Sequence, residues 1–84
     1  MLIPGFGPKS TEALAKIGIT TIHQLRAREA YEVYADLKQQ VPGTSRNFLY
    51  AIIAAQENLD WREVAKMRRT EILLRLDEMG LAPG

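Results

Sequence analysis

The chain has 84 residues, 46% of them apolar, 25% charged and 7% aromatic, with 11 Lys+Arg against 10 Asp+Glu and a net charge of +1. That is one small domain, too apolar and too evenly charged to be disordered. With no cysteine and one histidine, His23, it has no material for a disulfide scaffold, a thiolate metal site or Ser-His-Asp catalysis. The longest uncharged stretch, Asn47 to Gln56, is too short to span a membrane. Nothing at Met1-Leu2-Ile3-Pro4 reads as a signal peptide. The expectation is a cytoplasmic domain without cofactor or membrane contact.

Glycine and proline cluster at Pro4 to Pro8, Gly18, Pro42-Gly43 and Gly80 to Gly84, and the runs between them delimit helices. No run alternates apolar and polar residues over a strand length, so no sheet is expected. The first helix starts at Pro8, a residue suited to the first helical position, and stops at Gly18, placed to take the left-handed conformation. A short second helix starts at Thr20 or Thr21, with Gln24 completing a capping box from Thr21 and Ile22 and Leu25 facing inward. A third runs from about Glu29 to Gln40, where Ala30, Val33, Tyr34, Leu37 and Val41 form one apolar stripe.

From Thr44 to Met79 there is no glycine or proline, too long a stretch for one helix here. The break is expected at Asn58-Leu59-Asp60. Before it, Phe48 to Ala55 is apolar nearly all round and reads as a buried helix. After it, Asp60 and Glu63 form a capping-box pattern with Leu59 and Val64 as its staple. The last helix points Ile72, Leu73, Leu76 and Met79 inward; whether residues 61–64 join it or form a turn of their own stays open. The reading is all-α: a bundle of about five short helices forming a single domain over residues 1–84. Its core is expected to contain Tyr34, Leu37, Phe48, Ile52, Ile53, Trp61 and Leu76, with His23 on the surface.

Charge is patterned along the chain. Residues 1–28 carry Lys9, Lys16, Arg26 and Arg28 against Glu12 for a net +3, and residues 62–69 carry Arg62, Lys66, Arg68 and Arg69 against Glu63 for another +3. Residues 29–61 are net −3. The two basic blocks make one patch only if the ends of the chain meet; otherwise each is an ordinary solvated surface.

The segment with a mechanism is Gly5-Phe6-Gly7-Pro8-Lys9-Ser10. Glycines let backbone approach a ligand closely, and the first helical turn beyond them offers free N–H groups at the positive end of a dipole. Lys9 and the Ser10 hydroxyl flank that position. A phosphate on a polymer backbone is the natural partner, since the spacing is neither a dinucleotide fingerprint nor a P-loop. The plainer reading is a tight turn with Phe6 plugging the core. No carboxylate pair suits acid–base work, so no enzyme is expected.

Pro4 to Ser10, with Glu12-Ala13-Leu14, Ile17-Gly18-Ile19-Thr20-Thr21 and Leu25, resembles the hairpin and second helix of helix-hairpin-helix DNA-binding domains, a layout shared with the C-terminal domain of the bacterial RNA polymerase α subunit. Such motifs place a helix before the hairpin, and here only Met1 to Ile3 precede it. The resemblance implies minor-groove phosphate contacts from the amides of Gly5, Phe6 and Gly7 and from Lys9, supported by Lys16, Arg26 and Arg28. Further on, Arg26-Ala27, Ala30-Tyr31, Tyr34, Leu37-Lys38, Pro42-Gly43, Ser45, Asn47 to Ala51, Asp60-Trp61 and Glu71 to Leu74 make nearly the whole chain similar to the C-terminal domain of the TfoX (Sxy) competence regulators. That similarity implies a non-enzymatic helix-hairpin-helix or SAM-like domain that acts in transcription regulation beside the cyclic-AMP receptor protein. Two kinds of partner follow: duplex DNA, bound weakly and without sequence preference, or a protein, either a transcription regulator or a second copy in a homodimer.

Overall fold

Six helices form where the punctuation allows them, in a computed structural model that describes Ile3 and residues 6–81. They are α1 (Pro8–Lys16), α2 (Ile22–Arg26), α3 (Ala30–Gln40), α4 (Arg46–Glu57), α5 (Trp61–Met67) and α6 (Arg69–Glu78). No strand occurs among the described residues.

Three of the helix ends close in the same way. Gly18, Asn58 and Gly80 take the left-handed conformation with φ of 85°, 57° and 73°. The apolar residue after each then donates its N–H back into the last turn, Ile19 to the Leu14 carbonyl at 2.9 Å, Leu59 to Ala54 at 2.8 Å and Leu81 to Leu76 at 2.8 Å. This is the six-to-one closure of a Schellman end. The helix starts are more varied. Thr21 and Gln24 make the expected capping box, Glu29 accepts from the Tyr31 N–H, and Asp60 accepts from the Arg62 N–H at 2.9 Å. This cap uses the Arg62 N–H rather than that of Glu63, so Asp60 caps α5 without the Asp60–Glu63 box that the sequence pattern suggests.

α4 is the hub. Its Leu49, Tyr50, Ile52, Ile53 and Ala54 are buried, and it packs on α2, α3 and α5. Around it close Leu14, Ile19, Leu25, Val33, Tyr34, Leu37, Val64, Ile72 and Leu76, all within 1% of full burial. A side-chain clasp adds to this packing. Gln56 of α4 donates through Nε2 to the carbonyls of Leu25 at 2.8 Å and Arg28 at 2.7 Å, satisfying the end of α2.

Several side chains lie elsewhere than the sequence suggests. Residues 61–67 form a helix of their own, so there are six helices among the described residues rather than about five. The break at Arg68 needs neither glycine nor proline; it is held by the Arg68 guanidinium, which reaches Glu57 on α4 at 2.6 Å and Glu71 at 3.3 Å. Trp61, expected in the core, is 47% exposed. It opens α5, and helical side chains lean toward the N-terminus, so the indole lies over the 58–60 turn while Val64 fills the core position. Leu59 is 44% exposed rather than stapled over Val64, and Met79 is 37% exposed because Leu76 is the last inward residue of α6. Phe48 is half-buried. His23 is exposed, as expected.

Candidate nucleic-acid interface

The segment before α1 is fastened at Ile3 and at Phe6. Ile3, fully buried, donates its N–H to the Thr11 hydroxyl at 3.3 Å and accepts the Phe6 N–H at 3.0 Å. The Phe6 ring is buried with its centroid 5.8 Å from that of Phe48. Phe6 therefore has a structural place, and its amide, expected as a phosphate donor, is already engaged. Gly5 lies outside the described residues. Gly7 is the N-cap of α1 in extended conformation, φ −79°, which any residue adopts; a side chain there would meet no protein atom. Gly7 thus contributes open ground in front of the first turn rather than a special backbone angle.

Lys9 and Ser10 sit in that turn, and Lys9 is exposed. Facing them across a groove of about 220 Å³ lie Pro42, Gly43, Thr44 and Ser45, with Phe48 below. This second wall is the approach to α4. The Thr44 hydroxyl donates to the carbonyls of Val41 at 2.7 Å and Leu37 at 3.2 Å, tying off α3, and the chain turns at Gly43 (φ 85°) into Ser45, the N-cap of α4. Neither Gly7 nor Ser45 supplies a side-chain cap. Two helix starts, each with the positive end of a dipole, therefore border one groove. An adjoining groove is lined by Tyr34, Lys38, Ser45, Arg46 and Asn47, with the Lys38 ammonium 5.5 Å over the Tyr34 ring. No carboxylate lines either groove. Lys9, Lys38 and Arg46 thus stand on a surface suited to a chain of anions.

Residues 2–76 match the family model of the TfoX C-terminal domain. The chain belongs to that family. It is 26% identical over 77 residues to the DNA transformation protein TfoX of Haemophilus influenzae, an alignment covering 92% of this chain and 36% of the relative. The chain thus spans about a third of the length of that curated relative. No solved structure matches.

Within this TfoX C-terminal domain the expected supporting cations do not gather around Lys9. Lys16 is in the last turn of α1, about 10 Å farther along the axis. Arg28 is bound to Asp36 at 2.6 Å. Arg26 lines a different groove with Trp61. The groove beside Lys9 contains no residue of the 62–69 block, and Arg68 of that block is held by Glu57 and Glu71, its pKa raised first by the Glu57 hydrogen bond. The sequence reading missed Ser45, Arg46 and Lys38. A signal for them existed, since Ser45 after Pro42-Gly43 is a helix-start pattern, but counting charge by block hid two cations inside a net-negative stretch. Among the described residues no cluster of His, Cys, Asp or Glu could hold a metal ion, and no helix is long and apolar enough to cross a membrane.

Proposed function

We propose that this domain binds the sugar-phosphate backbone of duplex DNA in a DNA-transformation regulator, gripping it between the starts of α1 and α4. The observation that carries this reading is the pairing of two helix N-termini without side-chain caps across one carboxylate-free groove, flanked by Lys9, Lys38 and Arg46. Backbone N–H groups and dipole ends bind phosphate without reading bases. The name of the relative, a DNA transformation protein, agrees with such a partner. Binding is then weak, about 10⁻⁴ to 10⁻⁶ M at physiological salt, and indifferent to sequence.

The test is anisotropy of a labelled duplex titrated at several salt concentrations. Three cations at the site set a log–log salt slope of roughly −2 to −3. Lys9→Gln and Arg46→Gln should each reduce that slope by about 1 and weaken all duplexes alike. Wild-type binding by a Lys9→Glu, Arg46→Glu double variant refutes the assignment.

A further inference from the structure

A second groove lies between α2, the α4 C-terminus and the start of α5, and the DNA reading makes no use of it. Ala51, Ala54 and Ala55 of α4 are small residues along one face and leave its floor low, while Ile22, Leu59 and Trp61 form the walls. Two features mark it as unfinished surface. Leu59 occupies the same position after a left-handed helix end as Ile19 and Leu81, yet Ile19 is buried and Leu81 half-buried while Leu59 is 44% exposed. Trp61, the chain's one tryptophan, is 47% exposed beside it. Large apolar side chains held at a concave surface mark an interaction site when they are contiguous, and Trp is the residue most enriched at binding hot spots.

The charges around the groove select the partner. Arg26 lines it, and the Arg62 guanidinium stands 5.8 Å from the Trp61 ring centroid. Neither arginine forms an ion pair among the described residues. The one carboxylate in the lining, Asp60, is turned onto the Arg62 N–H as the α5 cap, and nearby Glu57 is bound by Arg68. The groove and its edge therefore carry two guanidinium groups without ion-pair partners among the described residues, Arg26 and Arg62, against one carboxylate, Asp60, for a net positive rim. An open, apolar slot with a cationic rim fits one apolar stripe of a helix flanked by acids.

We infer that the Ile22–Trp61 groove docks an acidic amphipathic helix of a protein partner, inserting an apolar side chain over Ala51 and Ala55 beside Trp61 and setting its carboxylates against Arg26 and Arg62. The domain then joins a protein on this side to whatever its α1–α4 groove holds. Complementary rim charge sets on-rate and choice of partner, while the buried apolar anchor sets affinity.

The experiment uses the full chain with a labelled ~15-residue amphipathic peptide, Leu and Phe on one face and Glu on the other, long enough to hold a helix. A peptide with Lys in place of Glu, a single-stranded oligonucleotide and sedimentation of the protein alone run alongside. The acidic peptide should bind. Trp61→Ala and Arg26→Glu, checked as folded by circular dichroism, should each weaken it about tenfold, and Lys9→Glu should leave it unchanged. Because Lys9 and Arg46 line the α1–α4 grooves and not this one, failure of one reading leaves the other standing. Equal binding of the Lys peptide, binding indifferent to Trp61→Ala, oligonucleotide binding in place of peptide, or self-association lost in Trp61→Ala would each overturn the inference.

Discussion

Replacing Gln56 by alanine tests how α2 is attached. Gln56 is half-buried and its amide bridges two carbonyls on another helix end, Leu25 at 2.8 Å and Arg28 at 2.7 Å. The two losses are unequal. The Leu25 carbonyl keeps a second donor, the Arg28 N–H at 3.3 Å, whereas no other donor reaches the Arg28 carbonyl within the described residues. A neutral hydrogen bond contributes about 0.5–1.5 kcal/mol net, and a stranded polar group about 1–3 when buried. Arg28 is only half-buried, so water recovers part of the second cost. The total comes to about 2 kcal/mol. In a domain of this size each kcal/mol moves the midpoint by about 4–8 °C, so Gln56→Ala should melt about 8–16 °C lower by circular dichroism. Gln56→Glu should lose as much at neutral pH, where a carboxylate has no donor, and regain part of it in acid. A fall below about 3 °C in Gln56→Ala would show that water replaces both bonds at little cost and that Leu25 packing alone holds α2.

Two further outcomes follow from burial. Ile52→Ala, at a fully buried position on the hub helix, should cost about 2–5 kcal/mol in urea unfolding, whereas Trp61→Ala should stay within about 1 kcal/mol despite the larger side chain removed; the reverse order would put the indole back in the core. Tyr31 has its pKa raised, chiefly by burial and then by Glu71, so the folded state favours the neutral phenol. Its contribution is fully present below about pH 10 and is lost as pH rises through the folded pKa; melts between neutral and strongly basic pH should fall less steeply for Tyr31→Phe than for wild type, and parallel curves would remove Tyr31 as the cause.

What the sequence made legible was local. Pro8, Gly18, the Thr21–Gln24 box, the Val33–Leu37 stripe and the break at Asn58 all act within a turn or two of themselves, and each lies where the pattern puts it. The misses are tertiary. No residue near Arg68 announces a helix break, because the break depends on Glu57 of another helix. Trp61 looks like a core residue by type, and only the direction of the first turn of α5 turns it outward. The candidate site divides the same way. Lys9 and Ser10 were readable from the Gly-Pro start, while Ser45, Arg46 and Lys38 belong with them only because α3 and α4 return to the α1 start in three dimensions. Phe6 is buried against Phe48, as the plainer reading of the segment has it.

The central position of α4 also bears on how the chain folds while it is being made. Leu14, Leu25, Val33 and Leu37 are all synthesised before the helix that covers them, and α4 is complete only at Glu57. Until then the first three helices carry apolar faces without a shared surface to bury them against, and short helices standing alone are marginal in water. The first three helices therefore gain their shared surface only with α4, and the core closes only when Val64, Ile72 and Leu76 beyond it are added.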